Sequence, residues 1–389
     1  MNALSILNIV GCRPNFIKIA PLIGEMRKHP EIRPMLLHTG QHHDGALSDV
    51  FFRDLELPEP DIFLNVGSGS HARQTAKIID AFEGVLLDLN PDLVLVVGDV
   101  NSTMACSITA VKLGFPVAHV EAGLRSFDRE MPEEINRLVT DSVSDLLFAS
   151  ERSAVRNLDR EGISRHKVFF VGNVMIDTLM MNAEKIAHSN ILTRMELLPH
   201  SYALVTLHRP SNVDDEVALQ RIVEALQQLQ RSLKVVFPVH PRTAASLRRS
   251  EAGRALAAMP NVLLTEPLGY IDFTKLMRES LFVVTDSGGV QEESTALGVP
   301  CLTSRDTTER PVTVSHGTNR LVGADTERIV TEATKILNGS IVRGRTPDKW
   351  DGQASKRVID TLLKKKREIK QLYKSVRRRR IWPDVSSAA

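Results

Sequence analysis

The sequence predicts an α/β protein with two parallel sheets, each covered on both faces by helices. Three observations carry this. Continuous apolar runs of strand length alternate with helical patterns from end to end, the mark of sheets buried on both faces. At 389 residues the chain exceeds one ordinary core, so two domains are expected. Finally, the pattern restarts after Val174 and the halves echo each other. Val97-Gly-Asp99 leads through a small-residue helix to Leu113-Gly-Phe-Pro-Val-Ala-His119. Thr285-Asp286 leads through another to Leu297-Gly-Val-Pro-Cys-Leu-Thr303.

In the first half, Ser5–Val10 reads as a strand that ends at a Gly11 turn and feeds a helix over Asn15–Lys28. Met35–His38 is the second strand. Ile78, Ile79, Phe82, Val85, Leu86 and Leu89 recur at helical spacing, which sets an amphipathic helix over His71–Leu89. Strand Leu93–Val97, helix Ser102–Leu113, strand Pro116–Val120 and a helix beginning near Met131 come next. Strand Asp145–Ala149, helix Glu151–Arg160 and strand Val168–Val171 close the half. A boundary near 173–191 fits the polar stretch Asn182–Asn190.

The second half reads as strand Ala203–Thr206, helix Asp214–Leu229, strand Leu233–Val239, helix Thr243–Ala257 and strand Val262–Leu264. A short helix near Ile271–Met277, strand Leu281–Thr285 and a helix from Gly288 follow. Helices over Asp325–Leu337 and Ala354–Tyr373 end the pattern. Domains over residues 1–173 and 174–353 result, with a basic tail over 377–389 expected to be disordered. Ligands of such sheets bind beyond the carboxyl ends of the strands. Asp99, the loop at Glu121 and the loop at Ser287 all fall at that edge, and two such domains facing each other would enclose a cleft.

An apolar fraction of 42% and a charged fraction of 25% describe a globular, water-exposed chain. The N-terminus lacks the basic start and cleavage site of an export signal, and no apolar run reaches the ~18 residues of a membrane span. A cytoplasmic protein is expected. Cys12, Cys106 and Cys301 match no metal or disulfide spacing. Ten Lys/Arg and one acid lie between Lys364 and Arg380, so the body of the chain is mildly acidic. That basic run reads as a solvated helix end rather than a nucleic-acid surface.

The densest charge lies in His119–Arg137, which holds Glu121, Asp128, Glu130, Glu133, Glu134, Arg125, Arg129 and Arg137. A solvated loop explains such a stretch; a site that moves protons between carboxylates explains it too. Gly11-Cys12-Arg13-Pro14-Asn15, with Lys18 one turn on, offers N–H groups and cations to an anion. It is not the glycine fingerprint of a nicotinamide site. Asp286-Ser287-Gly288-Gly289-Val290-Gln291-Glu292-Glu293 opens a helix where bare backbone can approach a diphosphate, with Glu293 able to accept from a ribose diol. The alternative for Ser287 is a plain helix cap. His208 and His240 follow strands, and His42 and His43 form a further pair. No Cys/His/Asp set has metal-ligand spacing.

Together these residues resemble a family. Gly11-x-Arg13-Pro-x-x-x-Lys18, Thr39-Gly-Gln-His42, Gly98-Asp99, His119-Val-Glu-Ala-Gly-Leu-Arg125 and Pro132-Glu-Glu-x-Asn-Arg137 come first. Gly172-Asn173, His208-Arg209, Asp286-Ser-Gly-Gly-x-Gln-Glu-Glu293, Arg305-Asp-x-Thr-Glu-Arg310-Pro and Gly317-Thr-Asn319 follow in order. The set is similar to the non-hydrolysing UDP-N-acetylglucosamine 2-epimerases over about residues 5–340.

The resemblance implies a GT-B architecture: two Rossmann-like domains, the active-site cleft between them, and the last helix (about 354–376) packing back on the first domain. It implies interconversion of UDP-GlcNAc and UDP-ManNAc for surface polysaccharide precursors, through elimination of UDP to 2-acetamidoglucal and re-addition. Neither metal nor cofactor is implied, and a homodimer is. Asp99, Glu121 and Glu133 match the acid/base carboxylates and His208 the group at the leaving phosphate. Arg13, Lys18, Arg137, Phe273, Ser287, Gly288, Gly289, Glu293 and Arg310 match UDP-sugar-binding positions. Gln41, Arg73, Glu134, Arg209 and His240 match an activator site for a second UDP-GlcNAc.

The chain also departs from the pattern. The segment between Arg125 and Pro132 is short, Pro210-Ser211 follows His208-Arg209, Leu268 replaces a polar residue and Asp44 a glutamine. These bear on the acyl-sugar preference and on activation. Epimerisation of a 2,3-diacetamido uronic acid sugar, hydrolysis to free ManNAc, a GT-B glycosyltransferase and a sugar-nucleotide sensor are the competing readings. A glycosyltransferase would need an acceptor site and no set of three carboxylates.

Overall fold

The computed structural model describes residues 3–41, 45–340 and 344–372. His42, His43, Asp44 and the tail 377–389 lie outside them. Two compact units are present. One runs to Thr178 and takes in the chain from Asp351; the other is Leu179–Trp350.

The first unit holds a seven-stranded parallel sheet in the order β3-β2-β1-β4-β5-β6-β7. Its strands are β1 (Leu4–Val10), β2 (Ile32–His38), β3 (Ile62–Phe63), β4 (Leu93–Val97), β5 (Val117–Val120), β6 (Leu146–Ala149) and β7 (Val168–Phe170). All five residues of β4 and all four of β5 are buried, as expected of strands covered on both faces. Val97 pairs with Val120, and Val120 with Phe148. That register brings Gly98-Asp99 and Glu121 off the sheet at one level. Helix His71–Leu89 has the predicted bounds, with Ser70 accepting the Arg73 N–H at its start and left-handed Asn90 at its end. Ile78, Phe82 and Leu86 are its fully buried side.

The second unit holds a six-stranded parallel sheet, order β10-β9-β8-β11-β12-β13. The strands are β8 (Tyr202–Thr206), β9 (Lys234–Pro238), β10 (Val262–Thr265), β11 (Phe282–Thr285), β12 (Cys301–Thr303) and β13 (Asn319–Leu321). Thr285 pairs with Thr206 on one side and Thr303 on the other. Asp286, Leu207-His208 and Ser304-Arg305 therefore leave the sheet together.

Several expectations change. The units divide at Thr178, inside the boundary expected near 173–191, but that stretch is helical, with helices Val174–Met181, Ala183–His188 and Ile191–Arg194. Thr178 Oγ1 donates to the Ile17 carbonyl at 2.6 Å, which binds the first of them to the first unit. The predicted helix Thr243–Ala257 is two helices, Pro241–Leu247 and Glu251–Ala257. Ser250 stops the first by capping the second, accepting the Gly253 N–H at 3.1 Å. The final helix is likewise two, Ala354–Lys364 and Lys366–Gln371. Its start carries no cap of its own. Asp177 supplies one, accepting the N–H groups of Ala354 (3.1 Å) and Ser355 (2.6 Å). Helix Gly45–Asp54, β3 and β13 went unread, the two strands because runs of two and three residues carry no periodic signal.

Candidate active site

In the first unit, β1 runs through Gly11-Cys12 into helix Arg13–Met26. A Cβ on Gly11 would stand 2.2 Å from Ser102 Oγ, so only glycine allows this approach. Asn15 ties the turn together. Its Oδ1 accepts the Gly11 N–H at 2.9 Å and its Nδ2 donates to the Val97 carbonyl at 3.0 Å. The Cys12 thiol is buried, and burial pushes it up to about 12; it is no nucleophile. Arg13 is half-buried, with its guanidinium 6.0 Å from the Phe51 ring centre.

Lys18, one turn into the helix, is buried and reaches both oxygens of buried Glu121, at 2.9 and 2.8 Å. Gly98 at φ +69 makes room, since a Cβ there would lie 2.8 Å from Lys18 Nζ. Glu121 itself has φ +76. A non-glycine residue in that region stores about 1–3 kcal/mol of strain and persists only where its surroundings fix it. Here the Glu121 and Ala122 N–H groups both donate to the Phe148 carbonyl, at 3.0 and 3.1 Å.

Helix Pro132–Val143 carries Glu133, Glu134 and Arg137. Arg137 is buried and pairs with both Asp99 and Glu134. Glu134 is buried as well. Its Oε2 accepts from Ser126 N–H at 3.0 Å and Arg137 Nε at 2.9 Å, and its Oε1 from Phe127 N–H at 3.0 Å. Burial opposes its charge, but the Ser126 N–H, Arg137 and the Phe127 N–H outweigh it and hold the carboxyl below its ordinary range. The short segment after Arg125 is thus anchored on Glu134. Glu133 stands half-buried in the first turn of the helix. Gln41 Oε1 accepts from Ser102 N–H (3.0 Å) and Oγ (2.7 Å), and Arg73 is exposed on helix His71–Leu89.

The second unit gathers its candidates beyond β8, β11 and β12. His208 Nδ1 lies 2.8 Å from Asp286 Oδ1 on a side chain 40% exposed. Asp286 is fully buried and also accepts the N–H groups of His208 and Arg209. Burial works to raise its carboxyl, yet the charge and hydrogen bonds of His208 and the Arg209 N–H prevail and hold it at about 2. An ionised Asp286 fixes Nδ1 as the donor, which leaves Nε2 for a ligand. The His240 ring lies 5.6 Å from that of His208, and His240 caps helix Pro241–Leu247.

Ser287 is the N-cap residue of helix Gly288–Leu297, but its side chain makes no cap bond; the plain-cap reading fails. Behind the helix start, Glu309 is buried among Arg305 (2.6 Å), Arg310 (3.1 Å) and Arg209 (3.7 Å). Arg310 also pairs with Glu292 at 2.9 Å. A Cβ on Gly288 would lie 2.6 Å from Glu309 Oε1. Glu293 is buried, and burial pushes its carboxyl up to about 8 while the Tyr270 hydroxyl donates to it at 2.8 Å. Phe273 packs, half-buried, on the cluster that contains Val290. Gly289 lies half-buried in the first turn of this helix.

The first unit thus assembles Lys18 with Glu121 and Asp99 with Arg137 and Glu134. The second assembles His208 with Arg209 and His240, and Ser287 with Gly288 and Arg310. Sequence reading gave no role to Asp286, Glu309 or Tyr270. Asp286 could have been found, since it stands at a strand end beside the glycines. Glu309 and Tyr270 show their part only through contacts. Among the described residues, no group of three His, Cys, Asp or Glu side chains could hold a metal ion. No helix there is long and apolar enough to cross a membrane.

The family described as UDP-N-acetylglucosamine 2-epimerase matches residues 24–363, and the chain belongs to it. A UDP-N-acetylglucosamine 2-epimerase of Methanocaldococcus jannaschii is 43% identical over 335 residues, 85% of this chain and 91% of that protein. A UDP-2,3-diacetamido-2,3-dideoxy-D-glucuronate 2-epimerase of Pseudomonas aeruginosa is 41% identical over 364 residues, 93% of this chain and 100% of that protein. The crystal structure of the M. jannaschii UDP-GlcNAc 2-epimerase in complex with UDP-GlcNAc and UDP aligns with a TM-score of 0.88 at 40% identity. It covers 93% of this chain and 100% of that one.

Proposed function

We propose that the protein interconverts UDP-GlcNAc and UDP-ManNAc without hydrolysis. The observation that carries this is the set of carboxylates at the carboxyl end of β4 and β5. Asp99, Glu121 and Glu133 come from three segments, two of them leaving the sheet at one level. Inverting a carbon needs proton transfer on two faces, hence more than one acid/base group. In this reading a carboxylate takes the C2 proton, and the C–H electron pair becomes the C1=C2 bond. The C1–O bond breaks, and its pair leaves on the β-phosphate oxygen of UDP. Return of UDP to C1, with a proton delivered to the other face of C2, gives the epimer.

Arg13, Ser287, Gly288, Gly289 and Arg310 hold the diphosphate in this account, with His208 Nε2 at the leaving oxygen. Phe273 meets the uracil and Glu293 the ribose. Lys18 pairs with Glu121 and orients it, while Arg137 does the same for Asp99. No cofactor takes part. A homodimer and a cytoplasmic location go with this reading. Gln41, Arg73, Glu134, Arg209 and His240 are the candidate contacts for a second UDP-GlcNAc acting as activator.

A second reading has one specific support, the Pseudomonas relative that the chain matches along its whole length. In it the sugar is a 2,3-diacetamido uronic acid. Incubation of each UDP-sugar in D₂O, followed by NMR, decides. We expect deuterium at C2 of UDP-GlcNAc and a mixture of two UDP-sugars. Labelling of the uronic acid sugar alone would favour the second reading, and accumulation of free ManNAc a hydrolase. Glu121→Gln and Glu133→Gln should each lower C2 exchange by about 10²-fold or more. Near-normal exchange in both would remove them from the chemistry.

A further inference from the structure

Asp141 lies two turns beyond Glu133 in helix Pro132–Val143, and none of the roles above uses it. It is fully buried. Three donors converge on its carboxylate: His119 Nδ1 at 2.7 Å, the Gly123 N–H at 2.9 Å and Arg125 at 2.7 Å. His119, also fully buried, extends the connection, with Nε2 2.8 Å from the Gly98 carbonyl. Both partners of the ring are oxygen acceptors. Arg125 is gripped in turn by Glu161, at 2.8 and 2.6 Å. Burial alone would raise the Asp141 carboxyl; His119 and Arg125 override it and keep it below the usual range.

Three segments meet here: Gly98, which precedes Asp99; Gly123, which follows Glu121; and the helix that carries Glu133. The Glu121 turn needs external support, because Glu121 and Gly123 both have left-handed backbones, at φ +76 and +83. Phe148 takes the first two N–H groups of the turn, and Asp141 takes the third. Arg125 could balance the charge of Asp141 from many positions. Only a carboxylate at this point joins the backbone of the turn to the His119–Gly98 link.

We infer that Asp141 is the positioning residue of the reaction, fixing the Glu121 and Asp99 carboxylates through Gly123 and His119 without touching substrate. The inference rests on the epimerase reading for those two acids. It is tested in the full-length protein with Asp141→Asn and His119→Gln, two sides of one hydrogen bond. Turnover for C2 deuteration of UDP-GlcNAc should fall on the order of a hundredfold, as for an ångström-scale misplacement. KM for UDP-GlcNAc and the affinity for UDP should stay within about twofold, since ground-state binding is untouched. The double variant should lose little more than either single one.

Amide exchange read by mass spectrometry supplies a measure independent of turnover. It should quicken at 121–125 in both variants and stay unchanged in β4 and β6. If Asp141→Asn does not fold, His119→Gln decides alone. Unchanged turnover and exchange in a folded variant would overturn the inference. So would a parallel loss of UDP affinity, or failure of both variants to fold, since the network would then serve the fold rather than the placement. If the unaltered protein leaves UDP-GlcNAc unlabelled, the epimerase reading falls, and amide exchange still decides whether Asp141 holds the turn.

Discussion

Burial and hydrogen bonding act on the Glu293 carboxyl in opposite directions. Burial pushes its carboxyl up to about 8 from an ordinary value of 4.5, the Tyr270 hydroxyl lowers it in part, and neighbouring Glu292 raises it again. Between those pH values the folded protein keeps a proton that the unfolded chain has lost. Stability therefore falls as pH rises from about 4.5 to about 8 and levels off above that. Glu293→Gln retains an acceptor for Tyr270 and has no proton to lose. Its Tm should overtake that of the unaltered protein as pH rises from 5 to 8, by roughly 2–4 °C per kcal/mol. Parallel Tm curves for the two proteins across that range would show that the carboxyl is not raised. Sequence reading offered Glu293 as able to accept from a ribose diol and gave no sign of the raised carboxyl. That follows from burial that only packing creates, with Glu292 adding to it and Tyr270, 23 positions away, opposing it in part.

At the scale of elements, the turn that leaves β5 is tightly constrained. Gly123 has φ +83, and a Cβ there would lie 2.5 Å from the Ala154 carbonyl on helix Arg152–Arg160. Gly123→Ala should cost on the order of 2–4 kcal/mol, combining left-handed strain with overpacking. Denaturant titration would show the lost midpoint, and an unchanged one would mean that the helix simply yields. This turn was legible in part. Its charge density marked it, but the direction of each acid was hidden. Glu121 turns to Lys18, 103 positions away, while Glu134 turns to the backbone of Ser126 and Phe127. The strands were read well because their signal is a run of apolar residues. Helix breaks were read less well: the start at Ala354, capped by Asp177 from afar, was read, but the division at Lys365 was not.

For the whole molecule, the proposed division of labour predicts a simple linkage. UDP that binds the folded state alone stabilises it by about 2.7 kcal/mol at a hundred times its Kd. UDP should raise Tm in the unaltered protein and in Glu121→Gln, whose change is in proton transfer. The rise should vanish in Arg310→Gln, which removes a cation at the start of helix Gly288–Leu297. An equal rise in the Arg310 variant would move the diphosphate elsewhere. By itself the sequence determined the two parallel sheets, the family and the strand ends where charged and polar residues gather. Apolar period and ordered motifs are local signals, and they survive without coordinates. Only the tertiary structure decided which polar and charged groups pair: Lys18 with Glu121, Arg137 with Asp99 and Glu134, Asp286 with His208, and Asp141 with His119 and Arg125. An ion pair forms where register and packing bring side chains within about 3 Å, and in low dielectric that distance governs each group's charge and direction. Spacing along the chain carries no record of it.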